Sequence, residues 1–147
     1  MINLKLIYKI IGSLLFIESA LMMVCLAMAF YFREDDILAF GVAVAATSLC
    51  GLFMRFMGRD SDNSLSRRDA YLVVTLTWLV FSLLGTLPFV VSGYLPSFTD
   101  AFFETMSGFT TTGATVINDV EALPHGLLFW RSLMQWIGGL GIVFFTI

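Results

Sequence analysis

Apolar positions along this chain gather into four long runs separated by short polar breaks, at residues 6–32, 37–57, 70–92 and 124–147. Each run reaches the ~20 residues that an α-helix needs to cross a hydrocarbon layer about 30 Å thick. Lipid offers no partner to backbone N–H and C=O groups, so helix is the element such a run predicts. The fourth opens on Pro124, which a first helical position tolerates. Four spanning helices are therefore expected. Lys5, Lys9 and the triplet Ala27-Met28-Ala29 imitate a secretory leader, but the first run is longer than the ~7–15 residues of a leader's apolar core, which favours a retained helix. The fourth run reaches Ile147 without a polar cap or basic anchor, and a piece of a longer protein is expected.

The link at residues 93–123 is too long for a tight turn and too apolar for a solvated loop. Pro96-Ser97-Phe98-Thr99-Asp100 carries helix-start chemistry, with Thr99 as the cap and Asp100 complementing the positive end of the helix dipole. A helix over residues 100–107 follows, only about 12 Å long. Gly108 then permits a left-handed backbone, and Phe109-Thr110-Thr111-Thr112-Gly113-Ala114-Thr115 continues as an extended strand. The pattern predicts a helix that enters the membrane, stops, and hands over to a returning strand.

Non-helical backbone at membrane depth survives only where protein buries it or where it lines an aqueous path. Inward carbonyls, with threonine hydroxyls beside them, can replace the water shell of a desolvated cation. The carboxyl end of the short helix adds partial negative charge. Oxygens without a carboxylate cage suit a weakly hydrated monovalent cation better than calcium.

Composition agrees: 59% of residues are hydrophobic and 13% charged, and the mean hydropathy is +0.90. The net charge of −3 leaves no basic stripe for nucleic acid. Lys5, Lys9, Arg55, Arg59, Arg67 and Arg68 fall at one side, which places the N-terminus and the loop at residues 58–69 in the cytoplasm. The other side carries Glu34, Asp35, Asp36, Asp100, Glu104, Asp119 and Glu121. These acids are either ordinary loop solvation or an anionic vestibule that concentrates cations, with Asp100, Glu104 and Gly108 assigned to the pore helix and vestibule.

From Thr99-Asp100-Ala101-Phe102-Phe103-Glu104, through Ser107-Gly108-Phe109-Thr110-Thr111-Thr112-Gly113-Ala114-Thr115, to Gln135-Trp136-Ile137-Gly138-Gly139-Leu140-Gly141-Ile142, the chain resembles the TrkH/KtrB family of potassium transporters. The resemblance implies an all-α membrane protein. Residues 1–57 would be two leading transmembrane helices, 58–69 a cytoplasmic loop, and 70–147 the first of four helix–pore loop–helix repeats. It implies a selectivity filter at Thr111, Thr112, Gly113, Ala114 and Thr115, with potassium held at Thr111, Thr112 and Gly113. Thr115 stands where potassium channels have a second filter glycine. It further implies potassium uptake without an enzymatic step or cofactor, in a multi-pass protein of the bacterial inner membrane. The implied partners are the three remaining repeats, a second copy in a homodimer, and a cytoplasmic nucleotide-binding ring of the TrkA type. The family's gating loop and pore-blocking arginine belong to later repeats. A homotetramer of short subunits and a non-conducting scaffold are the alternatives.

Several residues outside the loop remain open. Glu18, mid-way along the first run, is costly in lipid and reads as a protonated or hydrogen-bonded carboxyl at a helix contact, or else as part of an ion path. Arg131 either snorkels or pairs with Glu104 or Asp100. Gly138, Gly139 and Gly141 allow close packing or bending, and Pro88 predicts a kink. Cys25 and Cys50 read as small buried hydrophobes. His125 has no partner legible in the pattern, and no spacing marks a nucleophile or metal site.

Overall fold

The computed structural model describes residues 2–62 and 64–146, and every regular element among them is helical. Helix α1 is Leu4–Phe32, started by Asn3, whose side chain accepts from the Leu6 amide at 3.2 Å. Helix α2 is Ile37–Met57, with bounds equal to the second apolar run. The two form a hairpin that closes at Gly12 and Gly51. A Cβ on Gly12 would lie 2.8 Å from the Gly51 carbonyl oxygen, so only glycine lets the backbones approach this far.

Helix α3 is Arg67–Gly85, three residues longer at its start than the apolar run predicts. Ser66 and Asp69 form a reciprocal capping box, Ser66 Oγ accepting from the Asp69 amide and Asp69 Oδ2 from the Ser66 amide, both at 3.2 Å. The predicted kink at Pro88 is a break: α3 ends at Gly85, and α4, Leu87–Ser92, restarts with Pro88 in its first turn. The Phe89 amide then bonds the Thr86 carbonyl at 3.1 Å instead of that of Gly85. Gly85 is thereby free to accept the indole N–H of the fully buried Trp130 at 3.1 Å.

Helix α5, Phe98–Phe109, packs between α3 and α6, and α6 is His125–Thr146. Helix α1 also touches α3 and α6, so the leading hairpin supports the later elements directly. Behind the end of α5, the buried Phe109 ring meets Phe81 at 5.7 Å and Trp130 at 6.2 Å between centroids. Among the described residues, three helical stretches, Leu4–Phe32, Ile37–Met57 and Arg67–Ser92, are long and apolar enough to cross a membrane. Helix α6, the fourth expected crossing, is 22 residues long and carries one charged side chain, Arg131.

Cys25 is buried and Cys50 half-buried, both free thiols, as expected of small core residues. Glu18 is fully buried against Gly85 of α3, so the helix-contact half of its expectation holds. Among the described residues neither of its oxygens has a hydrogen-bond partner.

Candidate functional site

The site is the chain that leaves α5. Ser97, and not Thr99, caps this helix, its Oγ accepting from the Asp100 amide at 3.5 Å. The helix starts two residues earlier and ends two residues later than the sequence predicts. Asp100 remains in its first turn and is exposed.

Gly108 is not the left-handed residue. It lies inside α5, where a Cβ would come 3.2 Å from Met134 Cβ of α6, so its missing side chain serves helix packing. Phe109 likewise belongs to the helix and not to a strand. The turn comes later. The Thr111 amide bonds the Gly108 carbonyl and the Thr112 amide bonds the Ser107 carbonyl, both at 3.0 Å, the paired closure of a Schellman motif. The left-handed position of that motif usually holds glycine, but here it is Thr111, with φ of 58°. A β-branched residue in this region is strained by roughly 1–2 kcal/mol. Gly113 follows with φ of 76°, so two left-handed residues flank Thr112.

Residues 111–116 are exposed in the isolated chain and form no strand. Their inner edge is tied down. Ser107 Oγ donates to the Ala114 carbonyl at 2.6 Å. Thr115 Oγ1 donates to Glu104 Oε2 at 2.9 Å, and the Val116 amide donates to the same oxygen at 3.2 Å. Glu104 is only 3% exposed. Its other oxygen receives Arg131 Nε at 2.7 Å and a second Arg131 guanidinium nitrogen at 2.6 Å. Arg131 therefore pairs with Glu104 and not with Asp100. Glu104 faces protein, so of the two proposed vestibule acids only Asp100 stands in the open.

One edge of the loop stays unengaged. Among the described residues, no hydrogen bond ends on the carbonyl oxygens of Thr111, Thr112 or Gly113. Helix α6 sets the loop's position from the other side: a Cβ on Gly138 would collide with the Phe109 carbonyl oxygen. No group of three or more His, Cys, Asp or Glu side chains suited to a metal occurs among the described residues.

Sequence reasoning missed Ser107 as a brace, although a hydroxyl two residues before the end of a short helix is a usable signal. It also missed the partner of His125. The His125 amide donates to Glu34 Oε2 at 2.7 Å, and His125 Nδ1 lies 2.8 Å from Glu34 Oε1. The imidazole stacks on Phe32 with centroids 3.9 Å apart. Asp36 is buried against Gly126, and among the described residues neither of its oxygens has a hydrogen-bond partner. Glu34 of the α1–α2 link thus holds the start of α6, where a carboxylate complements the helix dipole.

Comparison with known proteins follows the same outline. A family model described as TrkH, cation transport protein, matches residues 36–147. The chain is 39% identical over 142 residues to the Trk system potassium uptake protein TrkH of Halomonas elongata, covering 96% of this chain and 30% of that protein. It is 31% identical over 142 residues to the Trk system potassium uptake protein TrkG of Escherichia coli, covering 96% and 29%. The crystal structure of the potassium transporter TrkH from Vibrio parahaemolyticus is similar with a TM-score of 0.87 at 38% identity, covering 95% of this chain and 30% of that one. The chain spans about 30% of the length of the curated relatives it matches.

Proposed function

Because the chain belongs to the TrkH family of cation transport proteins, we propose that its loop after α5 is one of four that together form a potassium filter. The observation that carries this is the unengaged edge formed by the carbonyls of Thr111, Thr112 and Gly113. Left-handed turns at Thr111 and Gly113 interrupt the alternation of an extended strand, in which successive carbonyls face opposite ways. Carbonyls left without donors are the ligands a potassium ion needs once its water is removed. The carboxyl end of α5 adds its dipole.

In this proposal residues 1–57 are the leading hairpin, 58–69 a cytoplasmic loop, and 70–147 the first repeat, completed by three further repeats. The exposure of residues 111–116 fits a surface that other repeats complete around the ion path. Thr112 and Gly113 supply central carbonyls, Thr111 the innermost, and Ala114 and Thr115 the outer, braced end. Asp100 adds negative charge at the outer vestibule. The whole protein takes up potassium across the bacterial inner membrane, with its N-terminus in the cytoplasm, as a homodimer gated by a nucleotide-binding ring of the TrkA type. No covalent bond changes in such a process, which is transport and not catalysis.

Rubidium uptake by potassium-starved cells that carry the complete four-repeat protein tests the assignment. Gly113→Asp abolishes uptake while the protein stays in the membrane at its usual level. The chain itself leaves open space where a Gly113 Cβ would stand, so the cause is the positive φ and the added charge. Unchanged uptake in that variant sinks the filter. Absence of uptake by the unaltered protein would instead indicate a scaffold.

A further inference from the structure

Helix α2 bears an apolar face that no other described element covers. Leu49, Leu52, Phe53 and Phe56 follow helical spacing, and each is at least 60% exposed. With Arg55 and Arg59 they line an open groove of about 610 Å³. Both cations lie at one end of it. Arg55 is in the last turn of α2, and Arg59 sits just beyond the Gly58 cap, its amide donating to the Phe56 carbonyl at 3.3 Å.

No carboxylate lines this groove. Arg55 donates one N–H to Ser13 Oγ at 2.8 Å, and among the described residues neither Arg55 nor Arg59 is in an ion pair. Gly58 brings the α2 end onto the backbone of Lys5 and Lys9, so two more basic residues stand beside the same end. Helix α2 is long and apolar enough to cross a membrane, and in a bilayer an apolar helix face suits acyl chains while a basic helix end suits headgroups.

We infer that this groove is a binding site for one anionic phospholipid, its acyl chain on Leu49, Leu52, Phe53 and Phe56 and its phosphate between the guanidinium groups of Arg55 and Arg59. Charge complementarity selects this occupant. Planar guanidinium groups match phosphate oxygens, whereas the lining of the groove offers no carboxylate to the ammonium of a zwitterionic headgroup. The site goes beyond the filter and does not depend on it.

Native mass spectrometry of the detergent-solubilised protein, doped with phosphatidylglycerol or phosphatidylcholine, tests the proposal. The unaltered chain retains a phosphatidylglycerol adduct in preference to phosphatidylcholine. Arg55→Gln/Arg59→Gln weakens that adduct by about tenfold or more, and Arg67→Gln/Arg68→Gln leaves it unchanged. Should the double variant misfold by circular dichroism, Arg59→Gln alone carries the test, because that side chain bonds nothing else among the described residues. Equal retention of both lipids overturns the site. So does undiminished phosphatidylglycerol retention in the folded glutamine variant, or a loss that follows Arg67 and Arg68 instead.

Discussion

Arg131 of α6 grips Glu104 of α5 through two guanidinium nitrogens at 2.6 and 2.7 Å, and the far side of the same carboxylate holds Thr115 and Val116. The loop is thus fastened to two helices by one buried charge. Arg131→Ala leaves that buried charge without its counter-charge and should cost about 3–5 kcal/mol. Glu104→Gln with Arg131→Gln should cost less than the sum of the single changes. A double-mutant cycle from denaturant unfolding in detergent measures the coupling, and additive losses would show that the pair is not one unit.

The left-handed Thr111 gives the second prediction. Thr111→Gly relieves the strain and should raise stability by about 1 kcal/mol. Gly113→Ala should lower it by a similar amount, since alanine at φ of 76° is strained although space is open. Melting temperatures of the two variants should move in opposite directions. Equal shifts would mean that the loop relaxes to other angles.

Neighbouring glycines of α6 provide a built-in comparison. Gly138→Ala pushes a methyl group into the Phe109 carbonyl and should destabilise by about 1–3 kcal/mol. Gly139→Ala meets nothing closer than Thr111 Cγ2 at 4.0 Å and should stay within about 0.5 kcal/mol of the parent. Thermal unfolding of both checks the prediction, and similar effects would contradict the packing described between α5 and α6.

Asp36 makes stability depend on pH. Burial is the main cause that raises its carboxyl above the ordinary value of 3.8, with nearby backbone amides, its own first, opposing the rise and the charges of Glu34 and Asp35 adding to it. A raised folded value means that the native state binds the proton more tightly than the unfolded state does. The stabilisation is fully present below the ordinary value and is lost as pH climbs through the raised one. Asp36→Asn should therefore gain stability relative to the parent as pH rises across that window. Parallel pH profiles for the two proteins would refute it.

The sequence revealed most where hydrophobic length alone decides. Helix α2 ends at both predicted residues because Asp36 and Gly58 bound a clean apolar run. Helix α3 starts early because a capping box recruits the polar residues Arg67, Arg68 and Asp69, which hydropathy excludes. At the site, the short helix and the non-helical stretch after it were legible from Pro96 to Thr115, but the turning residue was not, and the expected strand is a turn followed by irregular backbone. Glycine signals a helix end, and Gly108 satisfied that rule while serving clearance for Met134 instead. The link between Glu34 and His125 joins residues 91 apart, beyond any local pattern. Arg131 and Glu104, 27 apart, were one of three readings of that arginine, beside snorkelling and a pair with Asp100, because an arginine in lipid is costly alone but its partner is not set by local pattern.

The most direct test of the filter is to locate the ion. Anomalous scattering from the complete protein grown with rubidium or thallium should place a peak within coordinating distance of the Thr111, Thr112 and Gly113 carbonyl oxygens, and Gly113→Asp should erase it. A peak elsewhere along the pore, with those carbonyls bonded to protein or facing bulk water, would contradict the account.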